Sequence, residues 1–237
     1  MSKFEGKYMS EFERVKNSAA ENAKLAPEEM AEAKALEALS NSEIEQTKAR
    51  EKLREKELEL AKIRQELSER TRKLVERKIE IKNAGILEFQ EEELNKEKAD
   101  AIHGERVSET SKEIAQINEK VAEKEIDTAK EKKDLAKEKM DVAKAREKLS
   151  KKQYDYIKAV ENHQTRQKEG IAEKIHTAQE KVKEAQQDYL KQEKELLNQQ
   201  KDVFKKQQKI REKENELSDL NQQLNVKLSE LEKIRHA

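Results

Sequence analysis

Residues 107–157 read VSETSKE IAQINEK VAEKEID TAKEKKD LAKEKMD VAKAREK LSKKQYD YI when they are divided into blocks of seven. A large apolar residue opens every block except the one that begins with Thr128, and a small or apolar residue follows it each time. A seven-residue repeat keeps such positions on one face of an α-helix, and adjacent residues lie about 100° apart around it. The stretch therefore predicts a long helix with a line of large residues beside a line of small ones, which suits two neighbouring helices better than one.

The same repeat extends over most of the chain. An earlier run of large residues begins at Leu53 and ends at Ile81, and a later run begins at Ile175 and ends at Leu231. The fold class predicted from these runs is all-α, an elongated coiled coil of about three long helices. The predicted oligomerisation seam consists of large apolar residues from the three runs: Leu60, Leu67, Leu74, Ile114, Val121, Leu135, Val142, Leu149, Val182, Leu196, Val203, Leu217, Leu224 and Leu231.

Composition supports the same interpretation. The 237 residues are 44% charged and 33% hydrophobic, with a net charge of zero, four Gly and one Pro, which is too few apolar and turn residues for an all-β or α/β domain. Balanced, interspersed charge argues against nucleic acid as a partner, since phosphate binding needs a clustered basic surface. No apolar run reaches the roughly 18 residues of a membrane span, and there is no Cys, so we expect a cytoplasmic protein.

Changes in the phase of the repeat predict where the helices end. The large-residue line shifts by five residues between Ile81 and Val107, and again between Tyr156 and Ile175, which is too large a shift for one continuous stripe. We place turns near Gly104 and near Gly170, with Gly85 as a rival site for the first. A Pro at position 27 favours a helix start. The predicted elements are a short amphipathic helix over 1–25 and long helices over 27–102, 105–161 and 171–236, the long ones roughly 115, 85 and 100 Å in length.

The N-terminal helix differs in composition from the rest of the chain. Its predicted apolar face carries Phe4, Tyr8, Phe12 and Val15. Two interpretations stay open for this face: docking against the same or a neighbouring subunit, which is favoured, and binding to a membrane surface or to another partner. The helix is only slightly basic, which weakens the case for lipid.

Residues with catalytic potential are few. The four His, at 103, 163, 176 and 236, do not lie three or four residues from one another, so no zinc or nucleophile–base pair is predicted. Four scattered Gly leave no phosphate-binding loop. We therefore predict no catalytic, cofactor-binding or metal-binding residues and no enzyme activity.

These features favour a structural or scaffold protein that associates with itself into a rod, bundle or filament. One alternative comes from the order of the elements: a short N-terminal amphipathic helix, a Pro-marked break and a long charged helical hairpin. That organisation is similar to membrane-remodelling proteins of the phage-shock-protein A and ESCRT-III class, and the similarity implies membrane binding through the N-terminal helix. A further alternative, an adaptor that bridges other proteins, has the same sequence features as a scaffold.

Overall fold

A computed structural model describes residues 3–236, with side chains from residue 11 onward. Within that range the chain is almost entirely helical and contains no strand. Three long helices account for it: α1 over Lys3–Asn83, α2 over Glu91–Glu169 and α3 over Ala172–Arg235. The prediction of an all-α protein with three long helices is confirmed.

The separate N-terminal helix was a wrong prediction, because α1 runs without interruption through Pro27. Proline inside a helix removes one backbone hydrogen bond and costs about 3 kcal/mol. The packing on either side opposes a break: Ala19, Ala26 and Ala33 follow one another at sevenfold spacing and are all buried, whereas Pro27 itself is exposed. A break at Pro27 would move that line of alanines out of register with its neighbour.

The first turn lies at Gly85 and not at Gly104, so the predicted boundary at 102/105 was wrong. Gly85 adopts a φ of 70° and its N–H donates to the Lys82 carbonyl at 2.9 Å, while the Ile86 N–H donates to the Ile81 carbonyl at 3.2 Å. These two bonds form a Schellman cap, which needs a left-handed residue that glycine supplies without strain. Gly104 lies inside α2.

The second turn is short. α2 continues through the polar segment 162–169, and the reversal occupies only Gly170 and Ile171. Gly170 has a φ of 73°, and its N–H donates to the Arg166 carbonyl at 3.2 Å. The break therefore lies at the end of the segment in which the sequence predicted it.

The chain forms two compact units, and the first comprises Met1–Asn41 with Glu131–Ile210. Its core contains side chains from all three helices, including Val15 of α1, Leu149 of α2 and Leu196 of α3. Tyr156 and Tyr189 contribute a tilted ring pair with centroids 5.0 Å apart. Burial of these residues against two neighbours at once is the main stabilising term of the unit.

A buried polar layer fixes the antiparallel alignment of α1 and α2 in this first unit. Asn22 donates to the Gln153 side-chain oxygen at 3.0 Å and accepts from Arg146 at 2.9 Å. The Arg146 guanidinium also donates two 2.8 Å hydrogen bonds to the Glu29 carboxylate. Because each buried polar atom needs its partner, sliding α1 along α2 would leave several of them unsatisfied.

The second unit comprises Ser42–Lys130 with Arg211–Ala237. Leu58 and Ala61 of α1 pack against Ala115 of α2. Ion pairs join antiparallel neighbours: the Lys78 ammonium lies 2.8 Å from the Glu97 carboxylate between α1 and α2, and Lys227 lies 2.7 Å from Glu113 between α3 and α2.

Small residues mediate the contact between α1 and α2 in each unit. In the first unit the Ser150 hydroxyl donates to the Ala19 backbone carbonyl at 3.0 Å, and in the second the Ser68 hydroxyl donates to the Gly104 carbonyl at 3.4 Å. A short side chain can reach a backbone oxygen of another helix only where the two helices lie close together. On α2 this line is buried at every sevenfold step: Leu94, Ala101, Ser108, Ala115, Ala122, Ala129, Ala136, Ala143, Ser150 and Ile157.

Candidate functional site

An exposed row of leucines on α1 is the most prominent surface feature of the second unit. Leu53, Leu60, Leu67 and Leu74 are 57%, 54%, 64% and 60% exposed, and Ile63, between the second and third, is 60% exposed. They cover about 32 Å of helix at 1.5 Å per residue. We call these five residues the leucine face.

The leucine face is exposed because α1 buries the neighbouring line of small residues. Ala61 is 6% exposed and directly follows Leu60; Val75 is 6% exposed and directly follows Leu74. With about 100° between successive residues, one line points at α2 while the other points away from it. α1 thus carries the same double pattern of large and small residues as α2, and the leucine face is its line of large residues.

A shallow groove runs beside the C-terminal half of the leucine face. Leu67 and Leu74 line it from α1, and Ala101 and Gly104 line it from α2. A Cβ built on Gly104 would meet nothing within 4 Å, so the α2 side of the groove is open. Small residues here leave room for another helix to approach.

Charged residues flank the leucine face in a mixed order. Lys52, Glu59 and Glu66 lie on one side, each directly before a leucine of the face. Glu57 and Arg64 lie on the other side, each four residues after a leucine. Glu57 accepts a 2.7 Å hydrogen bond from Arg54 of the same helix. Mixed charge at such positions is typical of helices that choose a partner and an orientation electrostatically.

The other residues of the predicted seam lie against the chain itself. Buried positions are Leu135, Val142, Leu149, Leu196 and Leu231. Half-buried positions are Ile114, Val121, Val182, Val203, Leu217 and Leu224. Among the predicted seam residues, all of which lie in the described part of the chain, only Leu60, Leu67 and Leu74 are left largely to solvent. The seam is therefore divided between contacts within the chain and one free face.

A shorter apolar line lies on α3 in the first unit. Leu190, Leu197 and Phe204 are 47%, 52% and 57% exposed. Each directly follows a residue that packs in the core of the first unit, namely Tyr189, Leu196 and Val203. This line has three members where the leucine face has five. It provides a matched control surface for experiments on α1.

The predicted N-terminal face is only partly described. Val15 is 3% exposed in the core of the first unit, and Phe12 packs against that core. The side chains of Phe4 and Tyr8 lie outside the described residues. Where it is described, the face contacts the chain's own helices.

Titratable groups form ion pairs between helices. The Lys206 ammonium lies 2.8 Å from the buried Glu131 carboxylate, and this hydrogen bond raises the pKa of Lys206 above its usual range. Burial raises the pKa of Tyr189, with the nearby Glu11 carboxylate adding to the effect. The hydrogen bond from Lys152 lowers the pKa of Asp188. The helix contacts thus favour the charged forms of Lys206 and Asp188 and the neutral form of Tyr189.

Two properties of the described residues bear on other functions. They contain no group of three or more His, Cys, Asp or Glu side chains placed to hold a metal ion. Over the same residues, none of the three helices has a stretch apolar enough to span a bilayer. No protein-family model and no curated protein matches the chain.

Proposed function

We propose that this protein is a non-enzymatic structural or scaffold protein that associates with itself through the leucine face of α1. The observation that carries the proposal is the exposure of four leucines at sevenfold spacing, each more than half open to solvent. Soluble monomers rarely leave a row of large apolar side chains of this length uncovered, and such surfaces mark interaction sites.

The pattern of α2 supports the same conclusion. In the first unit α2 buries both lines of its double pattern, for example Leu135 with Ala136 and Val142 with Ala143. The corresponding pattern of α1 in the second unit buries only the small line. A further helix laid on the leucine face would give α1 the two neighbours that its sequence pattern favours.

The burial of the leucine face in a dimer contributes a free energy that follows from its exposed area. Burying a whole leucine side chain is worth about 1.5–3 kcal/mol, so covering the exposed part of each leucine here is worth roughly 1–1.5 kcal/mol. Four leucines from each of two chains give on the order of 10 kcal/mol before the cost of association, which is itself about 4–15 kcal/mol. With the contribution of Ile63, the gain exceeds all but the upper part of that cost, which is consistent with a dimer of moderate affinity.

The membrane-remodelling alternative rests on the N-terminal face. Val15 and Phe12 contact the core of the first unit, so a membrane-bound state would require those contacts to open. The adaptor alternative differs from the proposal only in what covers the leucine face. Both alternatives are outcomes of the test below.

The test is the molar mass of the full chain by sedimentation velocity, with and without Leu60→Gln and Leu67→Gln together. Glutamine keeps helix propensity close to that of leucine and removes the apolar surface. Four leucines lost per dimer remove about 4–6 kcal/mol, so the dissociation constant rises by roughly 10³ to 10⁴. Circular dichroism checks that the variant keeps its helix content.

The control is Leu190→Gln with Leu197→Gln, two leucines of similar exposure and equal spacing on α3. We expect this pair to leave the mass of the assembly unchanged. A monomeric wild-type chain would contradict the proposal, as would an assembly that the α3 pair dissolves and the α1 pair does not. Pelleting with anionic liposomes by an otherwise monomeric chain would favour the membrane alternative instead.

A further inference from the structure

We infer that two copies of this chain pair through the leucine face in parallel and in register, so that each leucine meets its own counterpart. The inference rests on the proposed function and adds the partner, its orientation and its alignment. It begins from the spacing: Leu53, Leu60, Leu67 and Leu74 occupy every seventh position without a gap. A partner that presents the same spacing can match all four at once.

Ile63 sets the heptad frame. It is the fifth exposed apolar residue of the face and lies three positions after Leu60, which is the distance between the two core positions of a heptad. The leucines then occupy the first core position and Ile63 the second. Lys56 and Arg70 occupy the second core position in the adjoining heptads, where their long stems can cover the leucines while their charges stay in water.

Charge complementarity favours the parallel arrangement. In this frame, residues five apart in sequence face each other across a parallel pair. Lys52 then meets Glu57 of the other copy, and Glu59 meets Arg64, and each pair occurs twice in a symmetric dimer. Both contacts are between opposite charges, and exposed pairs of this kind set orientation more than affinity.

Like-charge contacts remain as well: in the core Lys56 and Arg70 each face their own counterpart, and at the flanking positions one such contact lies at the end of the face. Lys73 of one copy faces Lys78 of the other, but Lys78 already donates hydrogen bonds of 2.9 and 2.8 Å to the two oxygens of the Glu97 carboxylate. That carboxylate offsets the charge of Lys78 locally, so the repulsion is reduced.

The antiparallel arrangement that matches all four leucines is opposed by charge. It would place Glu59 against Glu66, Lys52 against Lys73 and Arg64 against its own counterpart. Shifting the copies by one heptad removes most of these clashes but leaves one leucine of each chain without a partner. The parallel arrangement is the one that combines four leucine layers with opposite charges.

The absence of cysteine from the 237 residues allows a direct test. Four variants of the full chain each carry a single substitution, Leu53→Cys, Leu60→Cys, Leu67→Cys or Leu74→Cys, and are oxidised under mild conditions. A parallel in-register pair brings each introduced thiol to its own counterpart, so all four variants form covalent dimers. Leu190→Cys, at a similarly exposed leucine on α3, measures the background of collisional cross-linking.

Each result decides a different question. Cross-linking of all four variants well above the Leu190→Cys background is expected. Any antiparallel register brings at most one of the four to its own counterpart, so one cross-linked variant, or none, in a chain that still sediments as a dimer overturns the parallel arrangement and leaves the proposed function standing. A chain that sediments as a monomer overturns both.

Exchanging the charges of Glu59 and Arg64 tests the parallel arrangement independently. Glu59→Lys places an ammonium against the Arg64 guanidinium of the other copy twice per dimer, and the dissociation constant should rise by about tenfold. Adding Arg64→Glu to the same chain restores opposite charges and should return the constant to near its wild-type value. Failure of the second substitution to rescue the first would contradict the parallel pairing.

Discussion

The substitutions Ala136→Leu and Ala143→Leu test the close contact between α1 and α2 in the first unit. These alanines are 0% and 1% exposed and lie fourteen and seven residues before Ser150 on the same line of α2. The Ser150 hydroxyl reaches the Ala19 carbonyl of α1 at 3.0 Å, so the helices are near each other along this line. Larger side chains must either push α1 away or adopt strained rotamers.

The expected size of the effect depends on whether the larger side chains fit. Extra methylene groups that fitted without strain would stabilise the fold by about 0.8 kcal/mol each, or roughly 2.4 kcal/mol per substitution. Overpacking a filled site instead destabilises by about 1–3 kcal/mol. Because Ala136 and Ala143 leave almost no exposed surface, we expect the overpacked outcome, a net loss of about 1–3 kcal/mol. The double variant should lose less than the sum of the two single variants, since separating the helices at one site relieves the next.

The assay is hydrogen exchange of the α1 and α2 amides read by mass spectrometry, which reports each unit separately. A loss of about 1–3 kcal/mol corresponds to exchange roughly 5 to 150 times faster in the first unit. Ala35→Leu, at an exposed position of the same unit, should change exchange little. Leucine variants at 136 and 143 that protect these amides better than the wild type would refute the close contact.

Three further predictions concern stability measured by urea unfolding with circular dichroism. Asn22→Ala should lower the free energy of unfolding by about 1–3 kcal/mol, because its removal leaves the buried side-chain oxygen of Gln153 unsatisfied, and an unchanged value would contradict the polar layer. The raised pKa of Tyr189 means that the folded state holds the phenol proton more tightly than the unfolded state does, so the resulting stability is present below about pH 10 and is lost as the pH rises through the raised pKa. Tyr189→Phe should reduce this loss of stability at high pH. An equal loss in both proteins would argue against the raised pKa. Gly170→Ala, at a φ of 73° with open space around it, should cost about 1–2 kcal/mol through strain alone, whereas Gly104→Ala, inside a helix, should be neutral or stabilise by up to about 1 kcal/mol.

The long helices could be predicted from the sequence because their repeats are long, and the error at Gly104 shows which repeat matters. The large-residue line begins again at Val107, and Gly104 just before it satisfies the local preference for a helix end. The small-residue line, however, begins at Leu94 and continues without a gap through Ala101 and Ser108, so a turn at 104 would expose buried surface on both sides. A local cap is worth about 1 kcal/mol and cannot outweigh a contact that runs along two helices.

The same competition decides Pro27. Proline alone favours a helix start at position 27. Burial of Ala26, and of the alanines seven residues to either side of it, instead requires the helix to continue. The polar layer was missed for a related reason. Asn22 and Glu29 follow Val15 at sevenfold spacing, so they lie on the same face of α1 as that buried residue, but they are polar and so do not contribute to an apolar repeat. Their partners, Gln153 and Arg146, are identified only once the two helices are aligned.

Which of the two lines lies inside cannot be derived from hydrophobicity, since Leu60 is more apolar than Ala61 and yet is the exposed one. Which line is buried depends on both helices together. α1 and α2 each carry a line of small residues, and packing those lines against each other lets the two backbones approach closely. The large line of α2 is then free to pack on α3, as the Tyr156 and Tyr189 rings do. Within the described part of the chain, no third helix covers the leucine face of α1.

The arrangement links the sequence pattern to the proposed self-association by a simple rule, that a helix with two packing lines favours two neighbouring helices. α2 satisfies the rule within the first unit, whereas the leucine face of α1 in the second unit is uncovered among the described residues, and under the proposal a second copy of the chain covers it. Applied to α3, the rule marks Leu190, Leu197 and Phe204 as a weaker surface, with three residues instead of five and no second core position filled by an apolar residue. Pairing through α1 should therefore saturate at lower protein concentration than any contact through α3, and assemblies larger than the α1 pair should form only as the concentration is raised further.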